Sequence, residues 1–403
     1  MQGEKGYNVG GVMYPRPFKI RRLGHFGFNV NDLKKGADFY GRLLGFRITD
    51  DLDIRTLGTK FDNLEDGRVL FMTHNADHHA FLLAHRSLGA IFGDDAESAD
   101  VTLNQITWQV NTLEEVVNAV GYFNKKDVTL RRMGRDMPGS NWHVYVRDPD
   151  GHTIELYYGM EQVGWDGLSK PTELYYRRFN ESPPLPQVSE KTEVEQAAET
   201  GIDVFSGYRR QDIGTGDYVV GAVRLPRPFK ITRIGPVKIF VGDVGASEAF
   251  YTETLGFQRT EVVTYKGHRC VFLRAGTEHH SVALLPKPLR EILGLSNHTS
   301  CASVGLELGG YGQLQDAVAF LKREGVRFTD AMPAELSPGV DYSAHILDHD
   351  GHCLQLFYYM EQIGWDGQPR PPHLRRKVSE PWPEVLEPMS DTYADPSFMG
   401  PLG

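Results

Sequence analysis

The sequence predicts an α+β protein of two tandem homologous domains, each made of two βαβββ modules that form a curved half-barrel around a cleft. Three observations predict it. The chain contains itself twice: YNVGGVMYPRPFKIRRLG at residues 7–24 returns as YVVGAVRLPRPFKITRIG at 218–235, and MEQVGWDG at 160–167 returns as MEQIGWDG at 360–367. Landmarks between these blocks keep their order, with FYGRLLGF at 39–46 matching FYTETLGF at 250–257, His78-His79 matching His279-His280, and DPDGHTIEL at 148–156 matching DHDGHCLQL at 348–356. Within each copy, moreover, a strand–helix–strand–strand–strand order occurs twice. A repeat of this length marks whole domains rather than a solenoid of small units.

The elements of the first copy follow from local pattern. Residues 25–30 (HFGFNV) alternate and read as a strand. Asn31-Asp32 then starts a helix whose apolar stripe is Leu33, Ala37, Phe39-Tyr40 and Leu43-Leu44. Gly45 stops it. Residues 46–49, 69–72 and 80–84 give three more strands. The order repeats with a strand at 106–110, a helix at 113–123, and strands at 128–131, 143–146 and 152–158. Asp148-Pro149-Asp150-Gly151 forms the hairpin turn before the last strand. Copy two follows the same order. The chain thus divides into a first domain at 1–170, a linker at 171–215, a second domain at 216–370 and an extended tail at 371–403. The stretch 180–202 is acidic, polar and proline-bearing, with a short helix expected around 193–199. The tail carries Trp382, Leu386, Met389, Tyr393 and Phe398, and is expected to lie along a domain or a neighbouring subunit. The repeated MEQ.GWDG block reads as structural, with Trp165 and Trp365 anchoring each domain's exit.

Bulk properties exclude several classes. A length of 403 residues suits two domains with their own cores. The net charge of -10 argues against nucleic acid as the main partner, because phosphate binding needs a basic surface. Short basic pieces such as Arg131-Arg132 and Arg375-Arg376-Lys377 read as solvated surface. The three cysteines, Cys270, Cys301 and Cys353, lack CxxC spacing, so neither a disulfide framework nor a structural zinc site is expected. No apolar run spans a bilayer and the start lacks a signal-peptide core, so a cytoplasmic protein without membrane partners is expected.

Where the copies differ, chemistry is indicated. Copy one carries His25, Gln105 and Glu155 where copy two carries Pro236, Ser303 and Gln355. The three fall at corresponding strand positions, and strand alternation can aim all of them into a shared cleft. Imidazole, amide and carboxylate donors together suit a divalent ion such as Fe(II), Mn(II), Ni(II) or Zn(II), with positions left open for substrate. The simultaneous loss of the trio from copy two indicates that one site suffices.

These modules, with FYGRLLGF and DPDGHTIEL, resemble the vicinal oxygen chelate superfamily, which includes glyoxalase I, methylmalonyl-CoA epimerase, bleomycin-resistance proteins and the type I extradiol ring-cleaving dioxygenases. Copy one is most similar to the catalytic domain of the extradiol enzymes. The resemblance implies that His25, in LGHFGFNVND, matches an iron-binding His. It implies that His79, in NADHHAFLLA, matches the base that handles the catechol proton, and that Glu155 matches the carboxylate ligand. Tyr145 matches a tyrosine that bonds a substrate oxygen, and His143, on the same strand face, reaches the same pocket. Two residues depart from the pattern: Gln105 replaces the second His ligand, and Asp136 replaces a further His. The resemblance implies Fe(II), with Mn, Zn, Ni or Co as alternatives, a small aromatic substrate with O2 as co-substrate, and a homo-oligomer. The amide at Gln105 keeps a second reading open, a non-redox isomerase, epimerase or lyase of the glyoxalase type. A third is a metal-free small-molecule binding protein.

Overall fold

The structure is a computed structural model that describes residues 6–89, 102–139, 142–176, 185–210, 214, 216–295 and 299–387. A small hairpin, β1 (Tyr7–Val9) and β2 (Val12–Tyr14), precedes the first sheet. That sheet is built from β3 (Arg22–Val30), β4 (Arg47–Asp53), β5 (Arg68–Thr73), β6 (Phe81–His85), β7 (Leu103–Val110), β8 (Leu130–Gly134), β9 (His143–Arg147) and β10 (Thr153–Tyr158). Its spatial order is β4-β5-β6-β3-β7-β10-β9-β8. One module supplies the first four strands of this order and the other the last four. They meet where β3 pairs with β7 antiparallel, while β3–β6 and β7–β10 are parallel. Among the described residues the sheet does not close into a barrel.

The second copy repeats this order. After a hairpin of β11 (Tyr218–Val220) and β12 (Val223–Leu225) come β13 (Ile231–Val241), β14 (Gln258–Tyr265), β15 (His268–Arg274), β16 (Val282–Pro286), β17 (Cys301–Leu308), β18 (Arg327–Phe328), β19 (Ser343–Leu347) and β20 (Cys353–Phe357). They assemble as β14-β15-β16-β13-β17-β20-β19-β18. Two tandem eight-stranded sheets with few helices therefore match the predicted fold class.

Boundaries moved in instructive ways. The first strand begins at Arg22, so His25 sits inside it rather than opening it. The strand expected at 128–131 lies at Leu130–Gly134, where a register irregularity between Leu130 and Arg132 shifts the pairing with β9. Asp32 caps the first helix by accepting from the Lys35 N–H at 3.0 Å. The helix is α-helical only over Leu33–Ala37 and widens to a π-helix over Asp38–Leu43. The second copy does the same, with Val244–Ala249 followed by a π-helix at Phe250–Leu255. This widening brings Tyr40 and Tyr251 into the seam between the domains, where π-turns commonly serve a specific contact.

The domains are joined through that seam. The Tyr40 hydroxyl donates to Asp348 at 2.9 Å, and the Tyr251 hydroxyl donates to Asp148 at 3.2 Å. Phe28 stacks on His352 at 4.1 Å, and Trp108 meets Phe257 edge-on at 4.8 Å. One apolar cluster therefore runs through both sheets, from Phe26 and Ile106 to Val237 and Leu306.

The tryptophan reading of MEQ.GWDG does not hold. Trp165 is 88% exposed and Trp365 100% exposed. The block is held instead by its backbone, which pairs with the double-His hairpin: the His78 N–H donates to Glu161 O at 2.8 Å, and the His279 N–H to Glu361 O at 2.9 Å. Val163 and Ile363 supply the buried side chains. Trp165→Ala and Trp365→Ala are expected to leave the thermal midpoint unchanged, as differential scanning calorimetry would show. The interdomain segment carries a helix at Glu190–Glu199, capped by Ser189 and tied to the first domain by Arg135–Glu193 at 2.8 Å. The start of the tail lies on the second domain, where Trp382 packs on Tyr342 at 5.5 Å. Met389, Tyr393 and Phe398 lie outside the described residues. Among the described residues no helix is long and apolar enough to cross a membrane.

Candidate metal centre and active site

Strand register builds the site. Residues directly opposite each other on neighbouring strands share a face. Arg132 on β8 lies opposite Tyr145 on β9, Tyr145 opposite Glu155 on β10, Glu155 opposite Thr107 on β7, and Thr107 opposite His25 on β3. Five side chains thus form one row across five strands. Gln105 precedes Thr107 by two residues and His143 precedes Tyr145 by two, so both share the face of the row. Gly24 makes room beside His25: a Cβ there would meet the Tyr157 ring at 2.3 Å. Tyr157 accordingly packs against His25, with ring centroids 5.3 Å apart.

The trio read from the sequence converges. His25 Nε2 lies 3.1 Å from Glu155 Oε2, Gln105 Nε2 lies 2.8 Å from His25 Nε2, and Gln105 Nε2 lies 2.9 Å from Glu155 Oε2. All three are buried, Glu155 completely. The Thr107 hydroxyl also donates to Glu155 Oε2, at 2.9 Å.

As a purely internal hydrogen-bond network this triangle is inconsistent. With Glu155 ionised, His25 Nε2 cannot both accept from the Gln105 amide and donate to Glu155. Flipping the amide turns its oxygen onto the carboxylate instead. With the carboxylate ionised, either amide orientation leaves one contact of like with like, and an unmatched buried polar contact costs about 1–3 kcal/mol. A divalent cation at the centre removes the conflict, because all three groups can then turn lone pairs inward. Donors bound at about 2.1 Å and at right angles stand roughly 3 Å apart, which the observed edges match. The residues therefore fit a divalent ion, with Gln105 presenting Oε1 after an amide flip. Among the described residues no group of three or more His, Cys, Asp and Glu forms a metal cluster, because the third donor here is an amide.

Surrounding polar groups keep Glu155 ionised. Burial pushes its carboxyl up, but His25, His143 and the Thr107 hydroxyl outweigh that and hold it below the ordinary range. His143 Nδ1 stands 3.5 Å from Glu155 Oε1, and its Nε2 stands 3.2 Å from Asp136 Oδ1. Both are close contacts rather than aligned hydrogen bonds, since neither His143 nitrogen and neither Asp136 oxygen has a hydrogen-bond partner among the described residues. Asp136 is also held below its ordinary range: burial raises it, and Arg132 followed by His143 outweighs burial. Arg132 lies 3.6 Å from Asp136 and stacks over the Tyr145 ring at 4.3 Å. Burial, followed by Glu155, drives the Tyr145 phenol well above its ordinary range, so it stays protonated and can donate.

His79 lies on the other side of His25, its ring 4.4 Å away and edge-on. Its Nδ1 is 3.1 Å from His78 Nδ1, and His78 Nε2 stands 3.5 Å from Asp50. Burial, with His25 and His78, lowers its pKa well below the ordinary value, so it is neutral at neutral pH and a weaker base than a free imidazole. The His279–His280 pair repeats the 3.1 Å contact in the second domain. The pairing itself therefore belongs to the hairpin, and only the contact with His25 is particular to His79.

The sequence reading missed three neighbours. Thr107 was discoverable, since period two puts it on Gln105's face. Tyr157 and Arg132 were not placed, and Arg132 was taken for solvated surface. That reading is corrected: its side chain is 16% exposed and reaches Asp136 and the Tyr145 ring. Arg375, also read as surface, is paired with Glu261 at 2.7 Å and Glu361 at 3.0 Å. In the second domain the matching places hold Pro236, Ser303 and Gln355, and Lys238 stands where the first domain has Gly27.

Comparisons with known proteins agree with this architecture. A family model described as "Glyoxalase/Bleomycin resistance protein/Dioxygenase superfamily" matches residues 22–156 and 233–356, more than half of the chain. Over 277 residues the chain is 29% identical to the 3-methylcatechol 2,3-dioxygenase of Pseudomonas putida, covering 67% of this chain and 69% of that protein. It is 22% identical to the catechol-2,3-dioxygenase of Bacillus subtilis over 267 residues, 65% of this chain and 73% of that one. The fold is shared with the 2,3-dioxygenase LapB from Pseudomonas sp. KL28, at a TM-score of 0.55 and 15% identity over 87% of this chain and 96% of that chain.

Proposed function

The chain belongs to the glyoxalase/bleomycin resistance protein/dioxygenase superfamily, and from that premise we propose that it is a metal-dependent extradiol-type dioxygenase, opening a catechol-like or hydroquinone-like ring with O2. The observation that supports the reading is the buried His25–Gln105–Glu155 triangle, whose three donors a cation at its centre would satisfy together. The two similar proteins described above, both named as catechol dioxygenases, support it.

His25, Glu155 and Gln105 would hold the ion, Fe(II) in this reading. Bound there, it supplies chelation of two vicinal substrate oxygens and access to O2 chemistry. The remaining roles fall to the chain's own side chains. Neutral His79, beside His25, takes a phenolic proton as the substrate binds. The Tyr145 hydroxyl, kept protonated by burial, donates to a substrate oxygen. Arg132 holds the Tyr145 ring in place, and His143 with Asp136 braces the far side of Glu155. Burial of the row keeps bulk water away from the reacting ring.

The test is oxygen consumption by anaerobically iron-loaded protein across a panel of catechols. Uptake matched by ring-opened product is expected. No uptake on any catechol, with iron bound, would overturn the reading. His79→Gln is expected to keep its metal while kcat falls by about 10²–10⁴-fold, the usual worth of a positioned base.

One observation favours a second reading. The Gln105 amide is a weaker donor than imidazole, which suits an ion acting as Lewis acid alone, in a glyoxalase-type isomerisation, epimerisation or lyase reaction. Full activity with redox-inert zinc would select it. Gln105→His separates the two: metal content is expected to hold or rise, with ring opening retained if the chemistry is oxidative and activity lost if the amide is required.

A further inference from the structure

The second domain has reversed the sign of its cleft. Where the first domain gathers the carboxylate of Glu155 among neutral donors, the second has the amide of Gln355 and adds an ammonium. Lys238 is fully buried, and its Nζ donates to Gln355 Oε1 at 2.9 Å and to Ser337 Oγ at 2.5 Å. Register places it directly across from Ser303, as Gly27 lies across from Gln105 in the first domain.

Among the described residues this ammonium has no counter-ion. No Asp or Glu among the described residues acts on it; the one ionisable group there that favours its charge is Cys353, whose own thiol is pushed up to about 12 by burial and so stays neutral. Desolvation lowers Lys238 to about 7. Without an anion such a buried amine gives up its proton readily, and a bound anion would hold it charged.

Its surroundings are polar and unsatisfied. Two neutral acceptors occupy two of the three N–H bonds, leaving one. Ser303 Oγ and the Nε2 atoms of His280 and His345 are buried and have no hydrogen-bond partner among the described residues. Lys238 helps to push both imidazoles down, behind the larger effect of burial, to about 3 for His345. His345 lies directly across from Gln355, so it shares the same face of the sheet. Both rings are neutral, and tautomer exchange can bring an N–H to Nε2. Ser343, partly exposed and bonded to Gln355 at 3.3 Å, lies at the rim of this cluster. Orphaned buried groups of this density call for an occupant.

We infer that the second domain carries an anion site centred on Lys238, with Ser303, His280 and His345 around it, that takes a small monocarboxylate. A carboxylate offers two acceptor oxygens, enough to meet the ammonium from β13 together with the hydroxyl or an imidazole across the sheet. The site is independent of the chemistry of the first domain.

The probe is carbon-13 acetate, followed by line broadening on the full chain in chloride-free zwitterionic buffer. Saturable binding is expected in the wild type. It should weaken by at least about tenfold in Lys238→Met, as loss of a charge-assisted bond predicts, and stay unchanged in Glu155→Gln. Gln355→Glu is the second variant, since it opens no cavity and supplies the ammonium with an internal carboxylate. It should fold and lose acetate binding. Displacement of acetate by bromide would identify a general small-anion site centred on Lys238, and failure to displace would identify recognition of the carboxylate shape. Acetate binding that survives in both Lys238→Met and Gln355→Glu, or no saturable binding in the wild type, would overturn the inference and leave Lys238 as an internal cation only.

Discussion

Glu155→Gln is expected to give a folded chain that no longer retains a divalent metal. Glu155 is the only carboxylate in the triangle and is fully buried. Amide for carboxylate changes charge while keeping shape, and the second domain accommodates that exchange, because Gln355 occupies the corresponding position with no exposed surface. Removing one partner of a buried charge pair costs about 3–5 kcal/mol, which corresponds to a loss of metal affinity of roughly two to three and a half orders of magnitude. Elemental analysis after gel filtration would show about one ion per wild-type chain and close to none in the variant. The thermal midpoint of the metal-free variant should not fall, because a buried carboxylate with a mismatched neighbour has been neutralised. Stoichiometric metal in Glu155→Gln would remove the triangle as the metal site.

The second large effect is expected at the seam. Asp348 accepts from the Tyr40 hydroxyl at 2.9 Å, from the Asp350 and His352 N–H groups at 3.0 and 2.8 Å, and contacts His352 Nδ1 at 2.9 Å. Burial pushes its carboxyl up, but His352 leads the contacts that hold it below the ordinary range. Asp348→Ala leaves the Tyr40 phenol and the His352 imidazole without an acceptor in the interior. A loss of about 3–5 kcal/mol is expected, read by urea denaturation. Asp348→Asn, which keeps an acceptor oxygen, should lose less. Equal losses in the two variants would show that the carboxylate's hydrogen bonds are not what holds the seam.

Much of this was legible because the chain could be compared with itself. The repeat exposed the fold class, and the contrast of His25, Gln105 and Glu155 with Pro236, Ser303 and Gln355 singled out three residues that the sheet then brought within 3.1 Å of one another. Period two on β7 also made Thr107 available. Other features were hidden for physical reasons. The turn residues Asp148 and Asp348 read as local hairpin chemistry, and nothing local announces a tyrosine arriving from another domain. The widening of the helix at Asp38–Leu43 leaves the apolar stripe nearly unchanged, so periodicity cannot detect it. Arg132 looked like surface because charge predicts exposure on average, while its position opposite Tyr145 depends on a bulge. Lys238 escaped because the comparison looked for what the second copy had lost, whereas the decisive change was a gain at the place of a glycine.

The reciprocal pairing of Tyr40 with Asp348 and Tyr251 with Asp148 has the geometry of an isologous two-fold interface, the kind that relates identical subunits in a homodimer. Here both sides are encoded in one polypeptide. In a true homodimer every substitution appears on both sides at once, so a damaged ligand would empty both clefts together. Covalent fusion lifts that obligation. One half can hold its carboxylate under selection while the other drifts toward a lysine, and the partnership between them survives because the seam, unlike the clefts, still has to match.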